Sequence, residues 1–141
     1  MNVLRLLLAA LLISTAVHYT DNWLSMEHYA PTMGFLPDNP WLVPLTWTLF
    51  AAVGIWGYRE YNRGPSTRAH VLLATFSVSG ISTFAHLAYE GNDFAAWQWV
   101  SVLADGVTGL ALLAFVLWSA SRVRPPAAAA AKGGRLTRRQ P

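Results

Sequence analysis

The residues best suited to chemistry are two histidines and a few carboxylates set in apolar surroundings. His18 is followed by Asp21 and Asn22, and offsets of three and four bring all three to one face of a helix. His86 and Glu90 stand four apart, again on one helical face, which Ser79 and Thr83 extend. Asp105 lies in an otherwise apolar run, with Ser101, Thr108 and Gly109 on its own face. Imidazoles with carboxylates suit Zn, Fe, Mn or Cu(II), and His18, His86 and Glu90 are the candidate ligands of a transition metal. The repeated Glu-x-x-His of carboxylate metal sites in helix bundles is absent. His18 and His86 could also be axial ligands of a b-type haem, for which nothing else in the sequence speaks.

Two further readings stay open. Asp105 and Glu90 could exchange protons or anchor a lipid, sterol or other small apolar ligand, walled by Trp47, Trp97, Trp99 and Tyr89. Alternatively Asp105 hydrogen-bonds His18, His86 or Thr48 and fixes helix packing, while His18, Asp21 and Glu90 are solvated boundary residues. The candidate ligand-binding set is Asp105, His86, Glu90, His18, Asp21, Asn22 and Trp47. No catalytic residue is assigned. Among the remaining polar residues, His28 and Asp38 read as exposed, and His70 as a snorkelling or capping group.

Four apolar segments must position these groups, over residues 3–19, 41–58, 70–89 and 94–121. Each is near the roughly 20 residues that cross a hydrocarbon core, and none alternates with period two, so all four are expected to be helices. Counting in from the start of the fourth segment, Asp105 lies about 15 Å deep, close to a bilayer midplane. Trp23, Trp41, Trp97 and Trp99 mark one boundary, and Trp56, Tyr58, Tyr61 and Trp118 the other, as two aromatic belts. Gly54-x-x-Gly57 and Gly106-x-x-Gly109 allow close helix approach.

Charge orients the bundle. All ten Lys and Arg fall at one set of ends: Arg5 before the first segment, Arg59, Arg63 and Arg68 between the second and third, and six from Arg122 onward. The connections 20–40 and 90–97 contain none. Basic residues flanking spans stay cytoplasmic, so both termini are expected inside, with the acidic loops and the polar cluster outside. The chain is 141 residues long, 54% hydrophobic and 12% charged, too little charge for a soluble domain of this size. The net charge of +3 is explained by topology and calls for no nucleic-acid partner. With no Cys, thiolate ligands and a Cys nucleophile are excluded. The single Lys, Lys132, lies in the tail, which excludes a Schiff base within the bundle.

The expected fold is therefore all-α: a polytopic membrane four-helix bundle over residues 1–122, with a loop over 20–40 and a disordered basic cytoplasmic tail over 123–141. The tail, PPAAAAAKGGRLTRRQP after Arg124, is low-complexity and suited to anionic lipid. The first segment has a rival reading as a signal peptide, with Ser14-Thr15-Ala16 before the cleavage point. The expected setting is a bacterial inner membrane, and the expected partners are the bilayer, a small apolar or lipid ligand, and further copies or a membrane complex.

The pattern His18-Tyr-Thr-Asp21-Asn22, with His86…Glu90 and Ala-Asp105-Gly, resembles a family of small uncharacterised four-helix membrane proteins of bacteria, over most of the chain to about Arg122. A looser similarity is to the EXPERA group, which includes emopamil-binding sterol isomerases and sigma-2-type receptors. The first helix of that group also ends with a His and a nearby Asp before a long outer loop. This resemblance implies a lipid isomerase or sterol-binding role, with Asp21 and Glu90 as the transferable site residues. The chain departs from the group in its second segment, 41–58, which has no acidic residue.

Overall fold

A computed structural model describes residues 3–26, 39–88 and 94–123. Four helices run through them: α1 (Val3–Leu24), α2 (Leu42–Arg63), α3 (Thr67–Ile81), which continues as a 3₁₀ segment over Ser82–Ala88, and α4 (Ala96–Arg122). Among the described residues there is no strand. The all-helical reading therefore holds. The stretch Val3–Leu24, the stretch Thr67–Ala88 and the helix Ala96–Arg122 are long and apolar enough to cross a membrane. α2 has 22 residues as well, but Pro44, Thr46, Thr48 and the Arg59–Arg63 turn dilute its apolar content, and it does not join that group. The expected loop over 20–40 is shortened at its start, because α1 reaches Leu24, while α2 begins at Leu42 after a turn at Pro40 and Trp41. Residues 27–38, with His28 and Asp38, lie outside the described residues, as do 89–93, with Tyr89 and Glu90, and the tail from 124.

Consecutive helices pack side by side, and α4 closes onto α1. The up-down-up-down course puts the ends of α1, the 3₁₀ segment and the starts of α2 and α4 at one end of the bundle. Trp23 and Trp41 touch there, with ring centroids 5.2 Å apart. All Lys and Arg of the described helices gather at the other, basic end.

The core occupies the basic half. Leu4, Leu8 and Leu11 of α1, Leu73 and Phe76 of α3, and Leu112 and Val116 of α4 form one buried cluster. Their spacings of three and four are those of a helical face turned inward. Large apolar side chains such as Ile13, Val17, Leu49, Val71, Val107 and Leu117 are exposed on the outward faces. Apolar surface of this extent on every helix is what a lipid-facing exterior carries, and water would disfavour it.

Local sequence explains the irregular part. Ser66 caps α3, its Oγ accepting from the Ala69 amide at 3.2 Å. Toward the other end, Ser79, Ser82 and Thr83 each donate a side-chain hydrogen bond to the carbonyl three residues back, at 2.7, 2.8 and 2.7 Å. Such bonds compete with the regular ladder, and they coincide with the tightening from α to 3₁₀ geometry. Seven residues is long for a 3₁₀ run. The expectation of a uniform α-helix over 70–89 is corrected accordingly.

Candidate functional site

The acidic end holds the buried polar groups. α1 extends past His18, so the expected shared face forms: His18 is 1% exposed, Asp21 is buried and Asn22 half-buried. On the 3₁₀ segment, Thr83 and His86 are three apart, one 3₁₀ turn, and both are buried. His18 and His86 meet across the bundle with ring centroids 5.4 Å apart and planes tilted by 59°. The two rings pack directly on each other, which leaves no gap for a porphyrin. His86 stands in a 3₁₀ segment, and the expected pairing with Glu90 lies outside the described residues. Among those described, no three His, Asp or Glu side chains come together as a metal-ion cluster.

Asp21 is tied to the first turn of α4. Its Oδ2 accepts from Gln98 Nε2 at 2.9 Å, while Gln98 Oε1 accepts from the Ala95 amide, also at 2.9 Å. One glutamine thus satisfies an orphan donor at the helix start and links α1 to α4.

Asp105 lies deeper, on the inward stripe of α4 formed by Gln98, Ser101, Asp105, Gly109 and Leu112. It is 0% exposed. Neither carboxyl oxygen has a hydrogen-bond partner, and neither has the buried Ser101 Oγ one turn away. Tyr19 is close enough for an electrostatic interaction with Asp105, and the Ser14 hydroxyl lies near its carboxyl group. The Ser14 hydroxyl nevertheless falls outside bonding geometry to the carboxyl oxygens and shares a 3.0 Å hydrogen bond with Thr108 Oγ1 instead. The expected bonds from Asp105 to His18, His86 or Thr48 do not form. Thr48 is exposed and donates to the Pro44 carbonyl at 2.7 Å. A buried polar group without partners costs about 1–3 kcal/mol, and more when charged. Asp105 is therefore poorly explained as a packing device.

The aromatic walls also differ from expectation. Trp47 is half-buried, and its Nε1 donates to Thr15 Oγ1 at 3.1 Å, fastening α2 to α1. Trp97 and Trp99 point outward, at 53% and 36% exposed. Trp97 instead borders a shallow surface groove of about 420 Å³ with Ala16, Val17, Thr20, Asp21 and Leu24. Beside Asp105, small residues bring the backbones of α3 and α4 together. A Cβ on Gly80 would lie 2.8 Å from the Asp105 carbonyl oxygen, and one on Gly109 would lie 2.8 Å from the Ser77 carbonyl oxygen. Gly106 is covered by the Phe84 ring.

Sequence reasoning missed a second network at the basic end. His70 Nδ1 lies 2.7 Å from the Ser66 carbonyl oxygen, its Nε2 3.1 Å from Ser119 Oγ, and Ser119 Oγ 2.7 Å from Tyr61 Oη. The carbonyl can only accept, so Nδ1 carries the hydrogen. A neutral His70 then accepts from Ser119, which in turn accepts from Tyr61. His70 is thus a buried link between α2, α3 and α4 that does not snorkel, and it holds the carbonyl of Ser66, the N-cap residue of α3. The available signal was Ser119 itself, which continues the inward stripe of α4 through Leu112 and Val116.

The chain matches no known family model, no curated protein and no solved structure.

Proposed function

We propose that this protein is a multi-pass membrane protein whose outward-facing half binds a small ligand, with Asp105 as the group that receives it. The exposed apolar faces of all four helices support a bilayer setting in which α2 also crosses. The one-sided placement of Lys and Arg supports both termini on the cytoplasmic side, as in a bacterial inner membrane. Asp21, His18 and His86 then stand between Asp105 and the outer surface.

One observation carries the reading: a carboxyl group 0% exposed, within a helix apolar enough to cross a membrane, has no hydrogen bond at either oxygen. Ionisable groups within spans are costly and mark function more often than packing. A ligand bearing a hydrogen-bond donor or a positive charge would satisfy those oxygens.

The test is native mass spectrometry with elemental analysis of the full chain, wild type against Asp105→Asn. A ligand or ion retained at one per chain by the wild type and lost by the variant, with thermal stability kept, is the expected result. Wild-type protein that retains nothing, combined with a loss of thermal stability in Asp105→Asn, would leave Asp105 a structural residue.

A further inference from the structure

We infer that the ligand at Asp105 is a small cation, a proton or an alkali-metal ion, which reaches it from the outer side of the membrane only. The inference rests on Asp105 being the receiving group, as proposed above, and names what it receives.

Size comes first. Asp105 is fully buried, the α3 and α4 backbones touch beside it at Gly80 and Gly109, and Ser14 is bonded to Thr108 across the α1–α4 interface. That packing sets α1, α3 and α4 directly against the carboxyl group and favours a ligand much smaller than a lipid body. Donor chemistry comes second. Ser101 Oγ lies one helical turn outward of Asp105 on the same face, and like both carboxyl oxygens it is buried without a hydrogen-bond partner. Three oxygens so placed suit a hard cation.

Charge comes third. No Lys or Arg occurs in residues 6–58 or 69–121, so neither α1 past its first turn, nor the outer part of α2, nor the 3₁₀ segment, nor α4 before Arg122 supplies a counter-charge. Among the described residues, the titratable neighbours in this half are Tyr19, His18 and Asp21 on α1 and His86 on the 3₁₀ segment. The ionisable residues of α2, from Tyr58 to Arg63, are all at the opposite end. A carboxylate so enclosed needs a positive partner, and none of the helices provides a permanent one.

Access follows from the core. Leu11, Leu73, Phe76 and Leu112, each 0% exposed, fill the bundle between Asp105 and the basic end. Outward of Asp105 the buried residues are mostly polar, Ser101, Thr83, His18, His86, then Asp21 and Gln98, with Val102 and Val43 as apolar members among them. A cation can step along the outer half and meets an apolar plug beyond Asp105, so binding moves charge part-way and carries nothing across.

Asp105 is the tenth residue of α4, about 15 Å along the helix and about half of a 30 Å hydrocarbon core. Half the membrane field acts on a charge at that depth, so the dissociation constant should change roughly sevenfold per 100 mV.

The experiment uses the full chain in phosphatidylcholine–phosphatidylglycerol vesicles on a solid-supported membrane, with rapid outside jumps of pH at fixed Na⁺ and of Na⁺ or K⁺ at fixed pH. The expected result is a transient, saturable charge movement in one of these arms, with no sustained current. It should vanish in Asp105→Asn, which by circular dichroism remains helical. If an alkali ion is the ligand, Ser101→Ala should raise its half-saturating concentration several-fold. No transient in any arm, a transient that survives Asp105→Asn, or a sustained current would overturn the inference. An organic molecule retained at one per chain and lost in Asp105→Asn, without charge movement, would overturn it while leaving Asp105 as the receiving group.

Discussion

Gly80 of α3 lies so close to α4 that a Cβ there would come within 2.8 Å of the Asp105 carbonyl oxygen. The contact is backbone against backbone, so no rotamer change relieves it. It fixes the depth at which Asp105 meets its neighbours, and it places Gly109 against Ile81 just before the helix tightens into the 3₁₀ segment, with a Cβ there 2.9 Å from the Ile81 amide nitrogen.

Gly109→Ala should therefore lower thermal stability. The added methyl meets the Ser77 carbonyl oxygen and the Ile81 amide nitrogen, both on the rigid backbone of α3. Overpacking of this kind costs about 1–3 kcal/mol, more than the roughly 1 kcal/mol gained from higher helix propensity. Thermal unfolding in detergent, read by circular dichroism, checks this. An unchanged or raised midpoint would mean that α3 and α4 do not approach as described.

The Asp21–Gln98 bond predicts a measurable link between α1 and α4. Gln98→Ala withdraws one donor from the Asp21 carboxylate and one acceptor from the Ala95 amide. The expected loss is about 1–3 kcal/mol. Gln98→Glu should be worse than Gln98→Ala, because it sets a second carboxyl group against Asp21. A double-mutant cycle of Gln98→Ala with Asp21→Asn measures the coupling, which should exceed about 0.5 kcal/mol.

At the basic end the hydrogen-bond directions are the prediction. His70 should be the Nδ1–H tautomer when neutral, visible in its ¹⁵N imidazole shifts. Tyr61→Phe removes one bond and should cost about 1 kcal/mol, while Ser119→Ala removes two and should cost more. If the Nε2–H tautomer dominates, the chain of donors runs the other way.

Much of this architecture is visible in single residues. The positions of Arg5, Arg59, Arg63, Arg68 and Arg122, all at one set of segment ends, suit four helices of alternating direction. The spacing of His18 and Asp21 puts them on one face wherever the helix reaches that far. Asp105 is recognisable as anomalous from its apolar surroundings alone, because the cost of an isolated carboxyl in such a run does not depend on details of packing.

Other features depend on distances that spacing along one helix cannot supply. The tightening at Ser82 gives His86 a 3₁₀ and not an α-helical setting, and it accompanies side-chain bonds that are one of several options open to Ser and Thr. Trp47 turns to Thr15, and Trp97 and Trp99 turn outward, because each helix was free to rotate about its axis until packing fixed it. The Tyr61–Ser119–His70 network joins three helices, and its one local signal, Ser119 on the inward stripe of α4, does not name the partners. The sequence by itself determined the helices, their alternation and the polarity of the two ends, since these follow from composition and short-range periodicity. Only the tertiary structure decided which polar groups are satisfied and which are left over, since that depends on the rotation and separation of helices far apart in the chain. Asp21 falls on the satisfied side, joined to Gln98, and Asp105 on the other.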